Sequence, residues 1–296
     1  RQGALRRVPQ RRADGHPAAR GAVVILWRVA KKLYAYRELL GNLTRKEIRI
    51  RYKQSFLGIA WAIFVPVSMM LVFTFIFSKV AKVDPGKLPN SSRELPYAVF
   101  AYCGLLPWTF FSQSLSGCVT TLVTNRQLVT KVYFPREVFP LSKILAGMVD
   151  FAIASLVLVF LMVWFDIGVG TTILWVPVIF LAQVLFMLGC GLFLSMANLF
   201  YRDVQYVFQV GIQLWMFATA VIYPIPATVS DDSPVIGTLL RLNPMTPILD
   251  GYRDAIIHQR MPDFATAWPA FALIVVILYI GVWSFDRAQY LFAERI

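Results

Sequence analysis

The chain has 296 residues, 58% of them hydrophobic and only 15% charged. A soluble domain carries charge on about a quarter of its residues, so the composition excludes an ordinary soluble protein and points to a polytopic membrane protein. The net charge of +13 does not signify nucleic acid, because residues 1–56 hold 15 of the 29 Lys and Arg against Asp14, Glu38 and Glu47.

A basic cluster ahead of a first span is the positive-inside signal and attracts anionic headgroups, so the N-terminus is expected in the cytoplasm. Residues 1–23 are rich in Arg, Ala, Pro and Gly and predict a disordered basic segment. From 24 to 52, Leu26, Val29, Leu33, Tyr36, Leu40 and Leu43 recur at helical spacing against a basic face that includes Arg45, Lys46, Arg49 and Arg51 and ends at Tyr52. This suits a helix lying in the membrane interface, with a solvated basic helix as the alternative. Gly41-Asn42 is expected to break it in two.

The first span is expected at 55–78, where Trp61, Phe64, Ser68, Val72 and Phe75 share one face, open to lipid or to a ligand. A loop with Pro85-Gly86 and Pro89-Asn90 follows. The second span, 96–124, has Gly104 and Pro107 as break points. Residues 125–140, NRQLVTKVYFPREVFP, form a polar island. Asn125 can cap about two turns of helix, Pro135 biases Phe134 out of helix, and Pro140 suits the first turn of the next helix. The island is either an ordinary loop or a short helix serving as a handle for a water-soluble partner.

The third span, 141–165, contains Asp150, a charge in the bilayer that is either functional or, as favoured, a structural partner of Lys143 seven residues earlier near the inner interface. A turn at Asp166-Ile167-Gly168 leads to the fourth span, 172–200. The fifth, 204–223, carries Gln205, Gln209 and Gln213 at steps of four. Amides at membrane depth need partners, so this face meets another helix or a hydrated path. Residues 224–262 contain Pro224, Pro226, Pro234, Pro244 and Pro247, with apolar pieces at 235–242 and 248–257. Neither reaches the roughly 20 residues of a span, which predicts re-entrant or interfacial helices on the outer side. The sixth span, 264–285, returns the tail to the cytoplasm. The chain has no internal sequence repeat of the kind secondary transporters carry.

Catalytic signatures are missing. There is no G-x-x-x-x-G-K-[ST] phosphate loop, G-x-S-x-G, H-E-x-x-H or Cys/His cluster. His16 and His258 are isolated, and the three cysteines fall within apolar runs at unrelated spacings.

Four stretches in order, ELLGNLTRKEIRIRYKQSFLGIAWAIFVP (38–66), NRQLVTKVYFPREVFP (125–140), FYRDVQ (200–205) and NPMTPILDGYRDAI (243–256), resemble the permease subunits of ABC exporters for polysaccharides and polyol phosphates, the Wzm-like family. The resemblance implies an all-α integral membrane protein with a single exporter domain over 24–296 in the bacterial inner membrane. It also implies a homodimer with two nucleotide-binding ATPase subunits, which hold ATP and Mg; no cofactor is expected in this chain, and no metal site.

By the same resemblance, 24–52 is the interface helix and 224–262 looks like the two outer re-entrant helices of the gate, with Asn243, Pro244, Tyr252 and Arg253 as gate residues. Residues 125–140 look like the coupling helix, with Gln127, Lys131, Tyr133, Phe134, Pro135, Arg136 and Glu137 as contacts to the ATPase. The expected cargo is a lipid-linked polysaccharide such as O-antigen. Its hydroxyls need partners on the way across, and Trp61, Phe64, Ser68, Tyr102, Trp108, Gln209, Gln213 and Trp215 are the candidate lining. The alternatives are an ABC permease for teichoic acid, a lipid or a drug, and, more remotely, a membrane glycosyl- or acyltransferase. The last is disfavoured because no group of carboxylates or histidines gathers near a membrane face.

Overall fold

The computed structural model describes residues 31, 34–53, 55–88, 93–131, 135–223, 242–290 and 292. Their regular structure is helical: α1 (Arg37–Tyr52), α2 (Trp61–Phe73), α3 (Tyr97–Thr124), α4 (Arg126–Lys131), α5 (Val138–Trp164), α6 (Val176–Phe200), α7 (Val204–Ala218), α8 (Met245–Arg253) and α9 (Phe264–Ala288). A 3-10 turn (Gly58–Ala60) leads into α2, and π-helical turns extend α2 (Thr74–Val80) and α8 (Asp254–His258). Between α2 and α3 an isolated bridge joins Lys87 to Glu94.

Among the described residues, four helical stretches are long and apolar enough to cross a membrane: Gly58–Val80, Val138–Trp164, Thr171–Phe200 and Ala267–Ala288. They correspond to the expected first, third, fourth and sixth spans. The other two expected spans differ in kind. Helix α3 has 28 residues, about 42 Å at 1.5 Å per residue, but it carries Thr109, Ser112, Gln113, Ser114 and Ser116 in its middle. It can be this polar because protein surrounds it: α2, α5, α6, α7 and α8 all pack on it, and Tyr102, Phe111, Leu115 and Cys118 are fully buried. Helix α7 has 15 residues, short of the roughly 20 a span needs.

Helix α6 joins α3 to α9, crossing α9 at backbone contact. A Cβ on Gly281 would lie 2.2 Å from the Gly189 carbonyl oxygen, and one on Gly189 would lie 2.7 Å from the Leu278 Cα. Small residues at such a crossing allow the close van der Waals packing that holds helices together in lipid. Two cores result. The larger surrounds α3, and the smaller gathers Leu43, Leu122, Val129, Val138, Phe139, Leu199, Phe285 and Phe292 at the end carrying α1 and α4.

The structure corrects three expectations about elements, the first being the break in the second span: α3 runs unbroken through Gly104 and Pro107. Helix α1 runs unbroken through Gly41-Asn42; the non-helical residue is Tyr36, at φ −103° and ψ 24°. Burial of Leu43 and Glu47 against the bundle outweighs the roughly 1 kcal/mol that a mid-helix glycine costs. Helix α7 stops at Ala218, not at 223, because Ala220 takes a left-handed φ of 51° and turns the chain. The predicted disordered segment 1–23 and the first re-entrant piece, 235–242, apart from Leu242, lie outside the described residues.

Candidate functional site

At the basic end, α1 is held to the bundle by charge pairs. Lys143 on α5 donates to Glu47, while Arg51 and the Tyr52 hydroxyl both bond the Asp150 carboxylate. The expected Lys143–Asp150 pairing within α5 is therefore not made. Seven residues rise about 10 Å along a helix, so the two groups share a face without touching, and each looks across to α1. Removing one member would leave the other part-buried and uncompensated.

A third link runs from α1 to the polar island: Lys46 Nζ donates to Asn125 Oδ1 at 3.1 Å. Asn125 starts α4 with its main-chain carbonyl, which accepts from Leu128 and Val129 at 2.9 and 3.1 Å. Its side-chain amide donates to Thr121 O at 2.9 Å, so the side chain braces α3 and α1. On α4, Val129 is buried while Arg126 and Gln127 are exposed. Lys131 is the last helical residue, and Tyr133 and Phe134 lie outside the described residues. Pro135 and Arg136 are half-buried and Glu137 is buried. The other interface candidates, Arg45 and Arg49, are exposed, and Tyr52 is half-buried.

At the opposite end, α8 closes against the unwound end of α7. Arg253, 5% exposed, donates from Nη2 to Val221 O at 2.7 Å and to Ala220 O at 3.3 Å, and stacks 4.1 Å from the Phe100 ring centroid. Gly104 makes the room: a Cβ there would lie 2.4 Å from Val221 O and 2.7 Å from Arg253 Nη2. Asn243 ties the same junction together, its Oδ1 accepting from Trp215 Nε1 at 3.0 Å and Met245 N at 3.1 Å. Pro244 and Tyr252 are buried, and the Tyr252 hydroxyl donates to Gln183, whose amide donates to Pro107 O at 2.8 Å. Asp254 pairs with Arg260 at 2.7 Å. Burial holds the nearby His258 imidazole below its ordinary pKa, against the raising influence of Asp254.

The lining candidates divide. Tyr102 and Trp108 are packed inside the bundle, Tyr102 donating to Ala154 O at 2.8 Å. Trp61 and Phe64 are 43% and 53% exposed, Ser68 is half-buried, and Gln209 and Gln213 are exposed. Trp215 is half-buried, edge-on to Phe111. Beside it an apolar groove of about 520 Å³ runs between α6, α7 and α9. Among the described residues no group of three His, Cys, Asp or Glu could hold a metal ion. Sequence reasoning missed the Asn125, Gln183 and Phe292 contacts. Only Phe292 left a signal, an aromatic two helical turns beyond Phe285.

These features define a multi-pass helical membrane protein built around one buried helix, with a basic platform at one end and a clamped helical cap at the other. The chain belongs to the ABC-2 type transporter family, which matches residues 38–257. It is a transporter permease subunit, not an enzyme. It is similar to the O-antigen export system permease protein RfbA of Myxococcus xanthus, 33% identical over 91% of this chain and 99% of that protein. A protein of the same name from Klebsiella pneumoniae is 29% identical over 87% of this chain and 94% of its own length. The polysialic acid transport protein KpsM of Escherichia coli is 22% identical over 80% of this chain and 88% of its length.

Proposed function

We propose that the chain is the permease of an ATP-driven exporter that carries a lipid-linked cell-surface polysaccharide, such as O-antigen, from the cytoplasm to the outer side of the bacterial inner membrane. The observation that carries this reading is the near full-length match to a relative named as an O-antigen export permease. The more distant relative is named for another glycan polymer, which favours a polysaccharide over a drug or a simple lipid.

In this reading two copies pair, and two ATPase subunits holding ATP and Mg dock on the polar island 125–140. Six spans, with α3 and the α7 region as the second and fifth, leave both termini cytoplasmic beside that island. Residues 224–262, including α8, form the outer re-entrant gate, and Asn243, Pro244, Tyr252 and Arg253 hold it. The exposed amides Gln209 and Gln213 and the rings of Trp61 and Phe64 fit a path for sugars, which need both hydrogen-bonding edges and apolar faces. Ser68 and Trp215 belong at its margin.

Depletion of the chain in its host tests the reading. Polysaccharide is expected to accumulate in the cytoplasm and to disappear from the cell surface. Normal surface polysaccharide in depleted cells would reject the assignment.

A further inference from the structure

Two residues just after α9, Gln289 and Phe292, are built into the underside of the polar island. Arg136 Nη1 donates to the Gln289 carbonyl, and its guanidinium lies 5.5 Å from the Phe292 ring centroid. Gln289 is itself braced, its amide donating to Asp286 Oδ1 at 2.6 Å and to Asp286 O at 3.0 Å. Phe292 is 0% exposed and meets Phe285 and Phe200 edge-on, with centroids 5.3 and 6.1 Å apart. It shares one core with Leu43 of α1, Val129 of α4, Phe139 of α5 and Leu199 of α6.

These contacts turn the Arg136 charge inward. Helix α4 has only six residues, too few to hold a helix by propensity alone, so its shape depends on the core beneath it. Resting on the proposed transport role, the geometry points to Arg136 and Phe292 as positioning residues. Gln289 and Phe292 together form the floor of the coupling segment, and the ATPase subunit docks on the opposite, exposed face that carries Arg126 and Gln127. Arg136 is thereby a support for docking and not a contact.

The test uses the full chain co-expressed with its ATPase, comparing Phe292→Ala, Arg136→Ala, Arg136→Lys and Arg126→Glu. Phe292→Ala and Arg136→Ala are expected to reach the membrane at the wild-type level yet retain about tenfold less ATPase, the loss of a cation–π contact and a packed ring. Arg136→Lys is expected to recover most of it, because an ammonium still donates to the carbonyl and sits over the ring. A purely structural role would instead lower the amount of chain in the membrane and leave ATPase per chain unchanged.

Should the alanine variants fail to fold, amide exchange on the wild-type complex decides. The amides of α4 and of Gln289 are expected to slow together when the ATPase binds; protection of α4 alone overturns the inference. Wild-type ATPase retention in Phe292→Ala and Arg136→Ala, with loss only in Arg126→Glu, likewise overturns it and leaves the transport reading standing. Failure of the wild-type chain to retain any ATPase would sink the transport reading itself.

Discussion

At the residue scale the clearest commitment is the buried guanidinium of Arg253 and what surrounds it. Arg253 spends its guanidinium on two main-chain carbonyls and one ring. Truncating it to Ala is expected to cost about 2 kcal/mol, the usual scale for a charged hydrogen-bonding group removed from a buried site. Arg253→Lys is expected to restore little, since an ammonium lacks the planar fork that serves both carbonyls while stacking on Phe100. Gly104→Ala attacks the same contact from the other side, and overpacking of this kind costs about 1–3 kcal/mol. Thermal unfolding of the purified chain in detergent reads all three; an unchanged transition for Gly104→Ala would mean that the α3–Arg253 contact is looser than described. None of this was legible from residue type. Arg253 and Gly104 are 149 positions apart, and only the fold brings them together.

At the scale of elements, two helices invite direct tests. Helix α1 is held to α5 by Glu47–Lys143 and by Arg51 and Tyr52 on Asp150. Single reversals, Glu47→Lys or Lys143→Glu, are expected to lower the amount of folded chain, and the double swap to regain part of it. The interaction energy of that cycle should fall within about 0.5–3 kcal/mol; strict additivity would remove the pair as a tie.

Helix α7 presents Gln209 and Gln213 outward. Replacing both with Leu is expected to leave membrane insertion intact and reduce export several-fold, because hydroxyls crossing there would lose their partners. Export at the wild-type level would assign that face to lipid. The long apolar helices were legible in the sequence because length and hydropathy alone define them. Helix α3 was found by length, but its central place was not, since burial by protein leaves a weaker apolar signature than burial by lipid. Asp150 was singled out correctly, yet its partner was misassigned, because periodicity reports which face a residue occupies and not what lies across from it.

At the scale of the whole molecule, family membership and the division of ends fit one machine. A basic platform of α1 and α4, with Phe292 beneath it, sits at one end and the clamped α7–α8 junction at the other, with buried α3 connecting them. At the foot of α4, Asn125 bonds both α1 and α3. The most direct measurement reconstitutes the chain with its ATPase in vesicles loaded on one face with lipid-linked polysaccharide and follows access of the glycan to a lectin on the other face. Transfer is expected only with ATP and both subunits present. Transfer without ATP, or turnover of a sugar donor by the purified chain alone, would contradict the account.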